Sequence, residues 1–122
     1  MNYFSHPGIY LPLLDAVTTV YGVSHRKLES KSRKYDIVRA RQAYFYLSVK
    51  SRAFMTWRSY AEIGKELNRT HCDVLYSVRT VERDLMYPTI RWRIEDVCKI
   101  ARINFGQINN NQVRPGITNK AG

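Results

Sequence analysis

Residues 59–85 read SYAEIGKELNRTHCDVLYSVRTVERDL, and this stretch decides the fold. Ser59 suits an N-cap, and Glu62 three positions on completes a capping box. Tyr60, Ile63 and Leu67 follow at helical spacing. Asn68 and Arg69 interrupt the pattern, and Asn tolerates a tight left-handed turn. Thr70 restarts it as a second N-cap, with Asp73 at the matching third position, where its charge also suits the helix dipole. Val74, Leu75, Val78, Val81 and Leu85 give the second helix an apolar side. Two capped helices joined so tightly must cross steeply, as in a helix-turn-helix, whose second helix can offer its first turn to the major groove. Arg69, Thr70, His71 and Cys72 are the exposed candidates there, followed by Tyr76 and Arg79. An ordinary helical hairpin is the competing reading.

Charge separates the two readings. Twenty Lys and Arg against ten Asp and Glu leave a formal +10 on 122 residues, which points to a polyanionic partner. The surplus is concentrated. Residues 25–52 hold nine Lys or Arg and two acids, whereas residues 53–87 hold five of each. Lys31, Ser32, Arg33 and Lys34 lie between two helical patterns and should form a basic loop. A helix is expected over residues 35–50, with Ile37, Ala40, Tyr44 and Leu47 on one face, widened by Val38 and Phe45. Arg39, Arg41 and Gln42 are expected around the remainder. Tyr44, Phe45, Tyr46, Phe54 and Trp57 interleave with cations and so allow base stacking, but a helical aromatic stripe is more often core.

The other segments read as support. Residues 1–11 are expected to form an N-terminal arm. Pro12 suits a first helical position, Leu13, Leu14, Val17, Val20 and Tyr21 follow in helical register, and Gly22 ends the helix. Ser24 caps a short turn containing Leu28. Phe54, Met55 and Trp57 should cover the core or extend a helix. After Pro88, the residues Ile90, Ile94, Val97 and Ala101 mark a last helix ending near 104–106. The packed domain is therefore expected over 12–106, with a disordered tail over 107–122. A 44% apolar fraction suits one globular domain.

Several chemistries are not expected. His6, His25 and His71 are scattered without a nucleophile or carboxylate partner, so no enzyme is predicted. His71, Cys72 and Asp73 diverge by about 100° each on a helix and cannot close on one metal ion. Cys72 and Cys98 read as reduced thiols, and with no signal peptide or membrane span the chain reads as cytoplasmic. No cofactor is expected.

The order of elements resembles the C-terminal DNA-binding domain of the bacterial replication initiator DnaA. The likeness is carried by AVTTVYGVS at 16–24, SKSRKYDIVRARQ at 30–42, Glu62-Ile63-Gly64, and RTHCDVLYSVRTV at 69–81, and it extends weakly over 88–100. It implies an all-α, compact helical domain with a central helix-turn-helix preceded by a basic loop, of the TrpR-like or DnaA C-terminal-like kind. It implies binding to double-stranded DNA. Arg33 matches the arginine that enters the minor groove. Lys31, Ser32, Lys34 and Arg41 match positions near phosphates. Arg69, Thr70, His71 and Cys72 fall where the family reads bases with Arg-Asp-His-Thr. Thr70 and Cys72 depart from that run, and Thr70 does not replace in kind an Asp that accepts a hydrogen bond from a cytosine amino group. The turn is one residue shorter, with Asn68 in place of two glycines. No Gly-rich phosphate loop is present, so neither ATP binding nor origin melting by this chain alone is expected. A replication or transcription accessory, as from a phage or other mobile element, fits this architecture. The alternatives are a protein-interaction module that modulates replication proteins and, last, an RNA-binding protein.

Overall fold

The computed structural model describes residues 12–53, 55 and 57–108. Among the described residues six helices follow one another: α1 (Leu13–Tyr21), α2 (His25–Glu29), α3 (Tyr35–Ser51), α4 (Tyr60–Lys65), α5 (His71–Asp84) and α6 (Pro88–Ala101). The expected arm at 1–11, Phe54, and most of the expected tail lie outside the described residues.

The hub of the fold is α3, not the helix-turn-helix. From Arg41 to Ser48 every residue of α3 is buried, so the helix is covered on all sides rather than along one stripe. It packs against α1, α2, α4 and α5, while α6 packs against α1. Tyr44, Phe45 and Tyr46 are all core, which settles the aromatic stripe of this helix as packing. Trp57 departs from that expectation. It is 62% exposed and lies against the Arg52 guanidinium, 3.8 Å from the ring centroid, rather than in the core. Met55 is exposed as well. The segment joining α3 to α4 is instead tied down by polar groups: the Glu66 carboxylate accepts from the Tyr44 hydroxyl and pairs with Arg58.

Local signals set the helix ends. Ser24 accepts from the Lys27 amide, and Gly22 closes α1 in the left-handed region at φ 66°. Pro12 stands at the N-cap of α1, one place before the expected position. Both capping boxes of the helix-turn-helix are formed. Asn68 takes the left-handed turn at φ 59°. The last helix stops at Ala101, ahead of the expected 104–106, because Arg102 turns left-handed at φ 60°. Asn104 then accepts from the Gln107 amide and starts a further turn that buries Ile108 completely. Packing therefore continues past Gly106 into the segment expected as tail.

Two ion pairs join the hub to the second helix of the helix-turn-helix. Arg39 meets Asp84 at 2.8 Å, and Lys50 meets Glu82 at 2.6 Å. Hydrogen bonds from Arg83, and then from Arg39, hold the Asp84 carboxyl below its usual range against the opposing effect of burial. A depressed folded value means that the stabilisation is complete above the unfolded value, about 3.9, and is lost as pH falls through the folded one. Asp84→Asn leaves Arg39 without its anion and is expected to cost about 2–3 kcal/mol near pH 7. Urea unfolding should show the gap between variant and parent closing below about pH 4. Equal stabilities at neutral pH would show that the pair contributes nothing.

Candidate nucleic-acid interface

The basic loop at 31–34 is shaped by its serines. Ser30 ends α2 and its hydroxyl donates to the Lys27 carbonyl at 2.6 Å. The Ser32 amide donates to the Ser30 hydroxyl, and the Lys34 amide to the Ser32 hydroxyl, each at 3.2 Å. Bonds of this short range bend the chain without helix or sheet. They leave Lys31, Arg33 and Lys34 exposed and Ser32 half-buried.

The start of α5 is built as rigidly. The Thr70 hydroxyl accepts from the Asp73 amide at 3.3 Å and donates to the Asp73 carboxylate at 3.2 Å. The same carboxylate accepts from the Thr70 amide at 3.1 Å. Thr70, His71 and Cys72 are exposed, and the Cys72 sulfur lies 3.6 Å from His71 Nε2. Tyr76 and Arg79 continue the exposed side of the helix.

These two segments, nearly forty residues apart in sequence, border one open cleft. Lys31, Ser32 and Arg33 line one side, and Arg69, Asp73 and Tyr76 the other. Its floor comes from α3, chiefly Val38, Gln42 and Phe45. Thr70, His71 and Cys72 are not among its lining residues, and neither is Lys34. Lys34 borders a neighbouring groove beside Lys27 and Tyr35.

Two expected contact residues turn inward. Arg41 is 8% exposed. Its Nε donates to the Leu28 carbonyl at 2.9 Å and its Nη2 to the Ser30 carbonyl at 3.0 Å. These carbonyls end a short helix and lack intrahelical partners, so a buried guanidinium satisfies them. Arg41 was expected beside a phosphate, but its donors already serve the end of α2. Burial, and secondarily the neighbouring Arg69 charge, weaken its hold on its proton. Arg69 also reaches the Ser30 carbonyl, with Nη2 at 2.6 Å. Two guanidinium groups thus meet on one oxygen. Ser77 on the cleft wall, and Gln42 on its floor, expected only on the polar sides of the helix, join the cleft, and nothing in their local spacing marks either as lining it.

Among the described residues no three His, Cys, Asp or Glu side chains gather as a metal site, and no helix is long and apolar enough to cross a membrane.

A family model described as the bacterial dnaA protein helix-turn-helix matches residues 12–81. The chromosomal replication initiator protein DnaA 2 of Chlamydia pneumoniae is 34% identical over 87 residues, covering 71% of this chain and 18% of that protein. The corresponding initiator of Porphyromonas gingivalis is 39% identical over 71 residues, covering 57% of this chain and 14% of that protein. That of Borrelia garinii is 41% identical over 63 residues, covering 51% and 12%. The chain thus spans less than a fifth of the length of these relatives. Residues 12–81 run from the cap of α1 through most of α5, so the match takes in both walls of the cleft. The chain belongs to the bacterial DnaA helix-turn-helix family.

Proposed function

We propose that this chain binds duplex DNA in a sequence-dependent manner, in the cytoplasm, as an accessory of replication or transcription. The reading rests above all on the shared cleft, where the basic loop and the first turns of α5 open to the same space. Arg33 is assigned to the minor groove, and Lys31, Ser32 and Lys34 to phosphates. His71 is assigned to base edges in the major groove, flanked by Thr70 and Cys72. The Thr70 hydroxyl is engaged by Asp73, so its methyl group is the part best suited to meet a base, as against a thymine methyl. Replication fits because the relatives named above are chromosomal replication initiators. The role assigned is binding and positioning, with no bond made or broken and no cofactor required.

Selection of bound fragments from a random duplex library tests specificity directly. A recovered consensus supports the proposal, and recovery without sequence preference overturns its sequence-dependent part. Against the recovered site, His71→Ala is expected to cost about 1–3 kcal/mol, confined to particular base pairs. Loss spread evenly over all sequences would remove His71 from base reading.

A further inference from the structure

Arg69 stands at the junction of the two halves of the interface. Its own amide donates to the Gly64 carbonyl at 2.9 Å, inside the turn between α4 and α5. Its side chain crosses to the Ser30 carbonyl, the last backbone oxygen before the basic loop. That oxygen has two lone pairs, and Arg41 takes the other. Arg69 Nε is buried without a hydrogen-bond partner, while the residue as a whole is half-buried and lines the cleft, so its Nη2 is turned to the protein at the cleft's edge.

Two like charges on one oxygen repel. Such a pair persists where geometry compensates, and here each guanidinium serves a different element: Arg41 comes from the hub helix α3, and Arg69 from the turn before α5. The shared oxygen therefore ties α2, α3 and the helix-turn-helix to the origin of the loop.

We propose that Arg69 is a positioning residue, which latches the basic loop to the start of α5 through the Ser30 carbonyl and so sets the spacing between the loop and the recognition turn. The proposal rests on the DNA-binding reading for its consequence, but the latch itself exists in the free protein. Without it, the loop cations remain exposed but are no longer held in register with His71. Arg69 then contributes to affinity without contacting a base or a phosphate.

The test replaces Arg69 in the full chain by Met, which keeps an unbranched apolar stem and removes every donor. In the free protein, backbone relaxation at Lys31, Ser32 and Arg33 should report order parameters falling from about 0.85 toward 0.6 or below. With duplex DNA of the selected site, affinity should fall about tenfold, as for loss of a charged hydrogen bond. The loss should be uniform over base-pair variants of the site, and the salt dependence should keep its slope. Arg69→Lys retains the charge and a single donor nitrogen. It should show the same pattern with about a threefold loss, so a folding defect in the Met variant does not decide the outcome. Unchanged loop order in both variants overturns the latch. A slope reduced by about 0.9 assigns Arg69 to a phosphate, and relaxed preference at one base pair assigns it to base reading; either result overturns the proposal. If the parent chain shows no DNA affinity, the binding reading fails while the relaxation result still stands or falls alone.

Discussion

Replacing Lys31 and Arg33 together by alanine is expected to weaken duplex DNA binding about thirtyfold at roughly 0.15 M salt. The magnitude follows from counterion release. Each neutralised phosphate contributes a slope of about 0.9 to the dependence of log affinity on log salt, worth about fivefold at that concentration. Lys31 at a phosphate and Arg33 in the minor groove, where its cation displaces counterions from the flanking phosphates, multiply to about thirtyfold, and the slope itself should fall by nearly two units. Both residues are exposed on the wall of the cleft that faces α5, and neither is engaged in an ion pair among the described residues. Their removal should therefore leave folding intact, with a thermal midpoint close to the parent's. Titrations of a labelled duplex over a series of salt concentrations provide both numbers. A slope that does not change would mean that the loop does not meet the backbone, whatever happens to affinity at one salt.

Gly64→Ala should be the most damaging single-methyl change in the helix-turn-helix. A Cβ at this position would lie 2.8 Å from the Arg69 carbonyl oxygen and 2.8 Å from that of Thr70. Both obstacles are backbone, so no side chain can swing aside. The turn between α4 and α5 has to open, and it is the same turn in which Arg69 and Leu67 donate to the Gly64 carbonyl. The expected cost is about 3 kcal/mol, at the upper end for added volume in a packed site. For a domain of this size that lowers the melting midpoint by about 10–20 °C. DNA affinity should fall with it, because the opened turn re-aims Thr70 and His71. A midpoint within about 2 °C of the parent's would mean that the turn relaxes easily and that close approach does not hold α5 in place.

The helix-turn-helix was legible because its determinants are short-range. Ser59 with Glu62, and Thr70 with Asp73, act across three residues, and the Asn68 turn acts within one. A reader needs no knowledge of the rest of the chain to see them. The basic loop was legible for the same reason, since its cations crowd into four consecutive residues between two helical patterns. The likeness to the DnaA family joined the two segments into one site, where periodicity alone had supplied only two separate elements.

The burial of α3 was not legible. Its sequence contains Arg39, Arg41, Gln42 and Ser48 among apolar residues, a pattern that reads as one buried face and one wet face. The wet face is in fact covered. Arg41 can be buried because carbonyls at the end of α2, eleven to fourteen residues away, accept its donors. Leu75 failed in the opposite direction: counted with the apolar side of α5, it lies at the surface while Val74, Val78 and Val81 fill the core. Ile108 likewise reads as tail from its polar neighbours, yet a single capped turn carries it into the core.

By itself the sequence determined where helices begin and turn, and where positive charge collects, because capping, left-handed turns and local charge density act between near neighbours along the chain. Tertiary structure alone decided which cations face solvent and which serve the fold. Lys31, Arg33, Arg41 and Arg69 are alike as formal charges. Two of them reach an unpaired backbone oxygen in space and turn inward, and two do not. Whether a guanidinium finds such a partner depends on elements far away in sequence, and no spacing along the chain encodes that distance.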